Sequence, residues 1–286
     1  MYAKKQAHHR AMVMPYTLHA ERTRIEVIPE RGGLISRWQW RGHELLYLDR
    51  ERFANPQLSV RGGIPLLFPI CGNLPEDTFH YHGQTYHLKQ HGFARDLPWQ
   101  VLDQQEHLLK LGLQDTPATR QVYPFAFHLT LTYTLAADSL AIALEVANPG
   151  DTPLPFSFGL HPYFTVADKH QLQFDLPIHA MVDQKTQQPL TFSGTFDWHA
   201  AELDLACRPL TGQVARVCDL QQQYCLTLRY ATAFTTLVFW TVQGKPYYCL
   251  EPWTAPRNAL NTGVDLLHVP PQKHLTLGVE IAVAPL

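Results

Sequence analysis

The stretch Phe127-His128-Leu129-Thr130-Leu131-Thr132-Tyr133-Thr134-Leu135 sets an apolar residue at every second position, with His or Thr between. A period of two is the pattern of a strand with one buried and one solvated face. Ala136-Ala137-Asp138-Ser139 interrupts the alternation, which resumes at Leu140, Ile142, Leu144 and Val146 and stops at the turn-forming Asn148-Pro149-Gly150-Asp151. Residues 127–147 therefore predict a hairpin. The same reading marks strands at 108–113, 226–230, 237–242 and 275–283. No segment of comparable length carries 3.6-residue periodicity with caps, and 22 prolines and 16 glycines would interrupt helices repeatedly. The predicted fold class is all-β, a large antiparallel β-sandwich whose functional residues sit at strand ends or on a concave sheet face. A chain of 286 residues fits one such domain. The expected boundaries are an N-terminal arm over 1–20 and a single domain over 21–286. The proline-rich run 149–162 is expected to cross between the sheets, since proline is poorly placed in a central strand.

Composition narrows the partners. A formal net charge of -2 and 17% charged residues give no electrostatic footprint for nucleic acid or for an anionic membrane surface, so neither is expected as a partner. No run approaches 18 apolar residues, and the basic N-terminal residues Lys4, Lys5 and Arg10 lack the apolar stretch of a secretory signal. Five cysteines with no Cys-x-x-Cys indicate neither a disulfide framework nor a zinc knuckle. They read as buried thiols in a reducing, cytoplasmic setting.

Three short blocks concentrate chemistry. His91-Gly92-Phe93-Ala94-Arg95 joins a titratable ring to a fixed cation, a glycine that permits close backbone approach, and aromatic surface at Phe93 and Trp99. His161 lies between Gly159 and Pro162, as expected where a ring must be aimed; the alternative is a buried imidazole bonding a loop carbonyl. Glu251 ends a nearly uncharged run, Tyr247-Tyr248-Cys249-Leu250-Glu251-Pro252-Trp253. Desolvation there should raise its pKa toward that of a base useful near neutrality, unless an ion pair with Arg257 holds it. Two imidazoles and a carboxylate held by stiff neighbours point to proton transfer. Arg61-Gly62-Gly63 offers a fork donor and backbone amides to an anion or to hydroxyls. His80, His82, His87 and His91 have ligand-like density, but no carboxylate or cysteine is spaced to complete a site and His82-Gly83 reads as a turn, so no metal is expected.

Taken in order, Arg61-Gly62-Gly63-Ile64-Pro65 with Phe68-Pro69, His91-Gly92-Phe93-Ala94-Arg95, His161-Pro162-Tyr163-Phe164 and Glu251-Pro252-Trp253 resemble the aldose 1-epimerase (mutarotase) superfamily. The similarity spans about residues 25–284 and lies nearest the bacterial branch of the glucose-6-phosphate 1-epimerases. It implies a galactose mutarotase-like β-sandwich, no metal or organic cofactor, and interconversion of the α and β anomers of a hexose or hexose 6-phosphate, with a small-molecule sugar or sugar phosphate as partner. Residue by residue, it implies Glu251 as general base and His161 as general acid. His91 corresponds to the second histidine, near the sugar ring. Asp204 corresponds to the substrate-binding aspartate, with Asp197 and Asp219 as alternatives. Arg61 and Arg95 resemble the arginines that hold hydroxyls or, in the phosphosugar branch, phosphate. Where the galactose-acting branch shows an Asn-Arg pair this chain has Arg61-Gly62-Gly63, a departure that argues against galactose selectivity. Two other functions share many of these features. A non-catalytic carbohydrate-binding protein would use the same aromatics and arginines, and a glycoside hydrolase would pair Glu251 with Asp204.

Overall fold

The hairpin predicted over 127–147 forms as His128–Leu135 and Ser139–Ala147, with Leu131 directly opposite Leu144 and both in the core. A computed structural model describes residues 14–55 and 58–286. The hairpin lies inside an eight-stranded antiparallel sheet. Its order is Leu172–Asp175, Val214–Asp219, Tyr224–Tyr230, His274–Pro285, Ser139–Ala147, His128–Leu135, Leu108–Gln114 and Gln100–Gln104. A second eight-stranded sheet runs from Pro189–Thr191 through Ala180–Asp183, Glu202–Cys207, Thr236–Val242, Tyr247–Trp253 and Gly159–Leu160 to Leu66–Leu67, and Tyr163–Thr165 also pairs with Tyr247–Trp253. Segment 149–162 leaves the first sheet and enters the second at Gly159, as its prolines predicted. The two sheets share one apolar cluster that runs from Leu18 to Val283.

The all-β class and the galactose mutarotase-like sandwich hold, and the helices among the described residues are short, such as Arg50–Ala54 and Pro117–Val122. None is long and apolar enough to cross a membrane. Two expectations need correction. Of the N-terminal arm, residues 1–13 lie outside the described residues, but Tyr16–Ala20 is a strand paired with Thr23–Ile28, because Leu18 alternates into the core and is wholly buried. Of the five cysteines, Cys218 and Cys225 are joined as a disulfide, their strands placing them directly opposite each other. Cys71, Cys207 and Cys249 remain buried free thiols.

The period-two reading makes a quantitative prediction. Leu131→Ala removes a wholly buried side chain and should cost about 2–5 kcal/mol of unfolding free energy. Thr132→Ala, on the other face of the same strand, should cost less than about 1 kcal/mol. Urea unfolding of both variants checks this, and equal losses would contradict the assignment of faces.

Candidate active site

The second sheet builds the site by register. Asp204 lies opposite Trp240, Trp240 opposite Cys249, and Val238 opposite Glu251. Because side chains alternate across a strand, Glu202 and Asp204, Val238 and Trp240, and Cys249, Glu251 and Trp253 all share one face. Leu203, Leu205, Phe239 and Leu250 take the other face and join the core. Tyr163 pairs with Cys249 and Gly159 with Trp253, which sets His161 on the same face beside Glu251. Gly159 is required there, since a Cβ would come within 2.6 Å of the Trp253 ring.

Over this face lies a cavity of about 220 Å³ whose walls include Arg61, His91, Arg95, His161, Asp204 and Glu251. The structure therefore brings together all six residues singled out from the sequence. The walls of that cavity do not include Asp197 or Asp219. Asp197 accepts a hydrogen bond from the His199 amide, and Asp219 accepts the amides of Gln221 and Gln222 in a turn. His80, His82 and His87 are exposed on the hairpin of Thr78–Tyr81 and Gln84–His87, apart from buried His91, so that cluster is not a ligand set.

His91 is held in the left-handed region, at φ 66°, a conformation that costs free energy and persists only where surroundings enforce it. The enforcement is close packing. A Cβ at Gly92 would stand 2.3 Å from the Phe68 carbonyl oxygen, and the His91 amide donates to Gly72 O at 2.7 Å. The Gly72 amide in turn donates to His91 Nδ1 at 3.0 Å. Nδ1 is thus an acceptor, so the neutral ring carries its proton on Nε2. Burial first, then the cation of Arg95, holds His91 well below the ordinary histidine pKa.

His161 Nε2 and Glu251 Oε1 are 3.3 Å apart, and Trp253 Nε1 donates to Glu251 Oε2 at 3.2 Å. Glu251 is 1% exposed. Burial, followed by the neighbouring charge of Asp204, pushes its carboxyl well above the ordinary value. Burial, reinforced by Arg95, pushes His161 down to about 3. Both shifts favour the uncharged forms, so burial favours one proton held by the pair over a charge on either group alone. The alternative, an ion pair of Glu251 with Arg257, does not form. Arg257 donates instead to Asp204 at 2.8 Å and to Asn73 at 2.9 Å, because it approaches from beyond the strand end, across Gly72. Arg95 forms no ion pair with Asp96 or Asp103; its guanidinium donates to Gln90 O at 2.8 Å while its buried Nε has no partner among the described residues. Arg61 stands exposed at the rim.

Sequence reasoning missed several wall residues. Arg257 was read only as a partner for Glu251, although a cation six residues after a buried carboxylate was a usable signal. Glu202 and Trp240, joined by a 2.8 Å hydrogen bond, gave none beyond strand alternation. The amides of Arg61-Gly62-Gly63 serve the fold rather than a ligand at Gly63, whose N–H donates to Tyr47 O at 2.8 Å.

A family profile described as "Aldose 1-epimerase" matches residues 14–267. The Slr1438 protein from Synechocystis sp. PCC 6803 superposes with a TM-score of 0.95 at 42% identity, covering 100% of both chains. A galactose mutarotase related enzyme from Lactobacillus acidophilus gives a TM-score of 0.81 at 22% identity, over 95% of this chain and 97% of that one. A Cenchrus ciliaris protein named "Putative glucose-6-phosphate 1-epimerase" is 27% identical over 157 residues, which is 50% of this chain and 44% of that protein.

The protonation argument carries its own test. With its folded pKa lowered, His161 should stay neutral in the ¹⁵N spectrum of the imidazole as pH falls through ~6.5, the ordinary histidine value, and charge only toward about 3. Over that window the unfolded chain takes up a proton that the folded chain refuses, so this group lowers stability as pH falls. An imidazolium signal for His161 at pH 6 in the sugar-free protein would contradict the assignment.

Proposed function

The chain belongs to the aldose 1-epimerase family, and from that premise we propose that it interconverts the α and β anomers of a hexose or hexose 6-phosphate through proton transfer by Glu251 and His161. The observation that carries this reading is the buried Nε2–Oε1 contact of 3.3 Å at a cavity wall. Opening a pyranose ring requires loss of the proton on the C1 hydroxyl and gain of one at the ring oxygen as the C1–O5 bond breaks. With the shared proton on His161, Glu251 accepts from the C1 hydroxyl while His161 donates to O5. The aldehyde forms, and the pair is left as a neutral carboxyl and a neutral imidazole, the state that burial favours. Rotation about C1–C2 and the reverse transfers close the ring on its other face. His91 Nε2–H donates to a sugar oxygen, and Asp204, oriented by Arg257, accepts from a hydroxyl.

A carbohydrate-binding protein without activity has no use for a desolvated acid–base pair, whose burial costs stability wherever it is not used. Glu251→Gln preserves shape and removes the proton acceptor. It should leave sugar binding within about tenfold while lowering turnover by ~10² or more, and His161→Asn should do the same, both measured by polarimetry of freshly dissolved α-sugar. Full turnover in both variants would remove Glu251 and His161 from the chemistry, and an unaltered chain no faster than the uncatalysed exchange would identify a binding protein instead.

The hexose 6-phosphate reading rests on Arg95 and Arg61, which face the cavity without carboxylate partners among the described residues. Guanidinium forks match phosphate oxygens in pairs, and charge-assisted bonds exceed neutral ones. Arg95→Ala should then weaken use of glucose 6-phosphate much more than use of glucose, and raised salt should inhibit only the former. Equal losses for the two sugars would leave a general aldose 1-epimerase.

A further inference from the structure

The proposed chemistry uses Glu251 and His161 but leaves a third ligand-bearing side chain beside them. Cys249 stands two residues before Glu251 on the same face of Tyr247–Trp253, buried and free. One ligand atom from each of His161, Cys249 and Glu251 lies within 4.8 Å of the others. A buried cysteine among Tyr163 and Tyr247 is ordinarily an apolar filler. Here its neighbours on the other side are an imidazole nitrogen and a carboxylate, the donors that zinc accepts together with thiolate.

We infer that His161 Nε2, Cys249 Sγ and a Glu251 carboxylate oxygen form an inhibitory site for a zinc-class divalent ion, with the fourth coordination position directed into the sugar cavity. The Nε2–Oε1 separation of 3.3 Å already equals the edge of a tetrahedron about an ion with bonds of ~2.0–2.1 Å. The sulfur needs only a short approach. Burial holds the Cys249 thiol protonated, so the ion displaces two protons to solvent, that of the thiol and the one shared by His161 and Glu251; the thiolate and carboxylate left behind neutralise the ion, and the filled site leaves no net charge in the sheet. The thiolate selects zinc or cadmium over magnesium or calcium, which prefer oxygen alone. His161 and Glu251 are cavity walls, so the ion arrives by the route the sugar takes and excludes it. Arg61, Arg95 and Arg257 surround the same cavity and oppose a cation, partly offset by Asp204 and Glu202. Affinity should therefore fall short of that of a structural zinc site.

The test uses the whole protein, first treated with a chelator, which should leave the anomer-exchange rate unchanged. Titration with cobalt(II) alone should then give thiolate-to-cobalt charge-transfer absorption that saturates at one ion per chain. This spectrum does not depend on the proposed activity, so its absence overturns the metal site whatever sugar the protein acts on. Added zinc should inhibit anomer exchange competitively with sugar. Cys249→Ala should lose the charge-transfer band and keep its metal-free rate, while needing at least about tenfold more zinc for half-inhibition. Zinc inhibition undiminished in Cys249→Ala would place the ion elsewhere and overturn the inference. If that variant fails to fold, the cobalt spectrum of the unaltered chain still decides.

Discussion

The structure turns on placing an acid–base pair where neither member can easily be charged alone. Glu251 and His161 lie against the centre of a sheet, and burial is the largest influence on both. An isolated buried charge is costly, so the pair relieves that cost by holding one proton in common. Ring opening moves protons without creating a free charge at the end of the step, and such a site suits it. The cost of desolvation appears as lost stability, and the paired eight-stranded sheets with their continuous apolar cluster supply the stability that offsets it.

Around that pair the polar groups are tied to the scaffold. Arg257 is fixed by Asn73 and Asp204, Glu202 is fixed by Trp240 and Lys185, and His91 has its tautomer set by the Gly72 amide. Groups held this way need little reorganisation when a ligand arrives, which is how preorganised dipoles act most strongly. Arg95 is the exception among them. It is tied by a single bond to one carbonyl, and its buried Nε, like that of Arg257, is without a partner among the described residues, so it retains donor capacity toward whatever enters the cavity.

Much of this was legible in the sequence, for physical reasons that can be named. The alternation in 127–135 reports burial of one face, and sheet burial is what selects it; the hairpin and the strands at 226–230 and 275–283 followed directly. Of the six candidate residues, Arg61, His91, His161 and Glu251 were legible because each stands beside a glycine or proline, Arg95 because it shares a short block with His91, and Asp204 only through the family resemblance; the glycines prove to be packing requirements, at Gly92 against Phe68 and at Gly159 against Trp253. Partners across strands were not legible. That Arg257 meets Asp204 rather than Glu251 depends on strand order, as does the opposition of Cys218 to Cys225, and neither has a local signature. Tyr16–Ala20 was missed because five residues carry too little alternation to mark a strand by themselves.

The central claim is that Glu251 and His161 act as one proton-transfer unit rather than as two independent contributors. A double-mutant comparison of Glu251→Gln, His161→Asn and the double variant, read as anomer-exchange rates by NMR at saturating sugar, tests it most directly. Groups that act as a unit are non-additive, so the account predicts that the double variant is no slower than the slower single variant. Losses that multiply in the double variant would contradict it and assign the two residues separate roles.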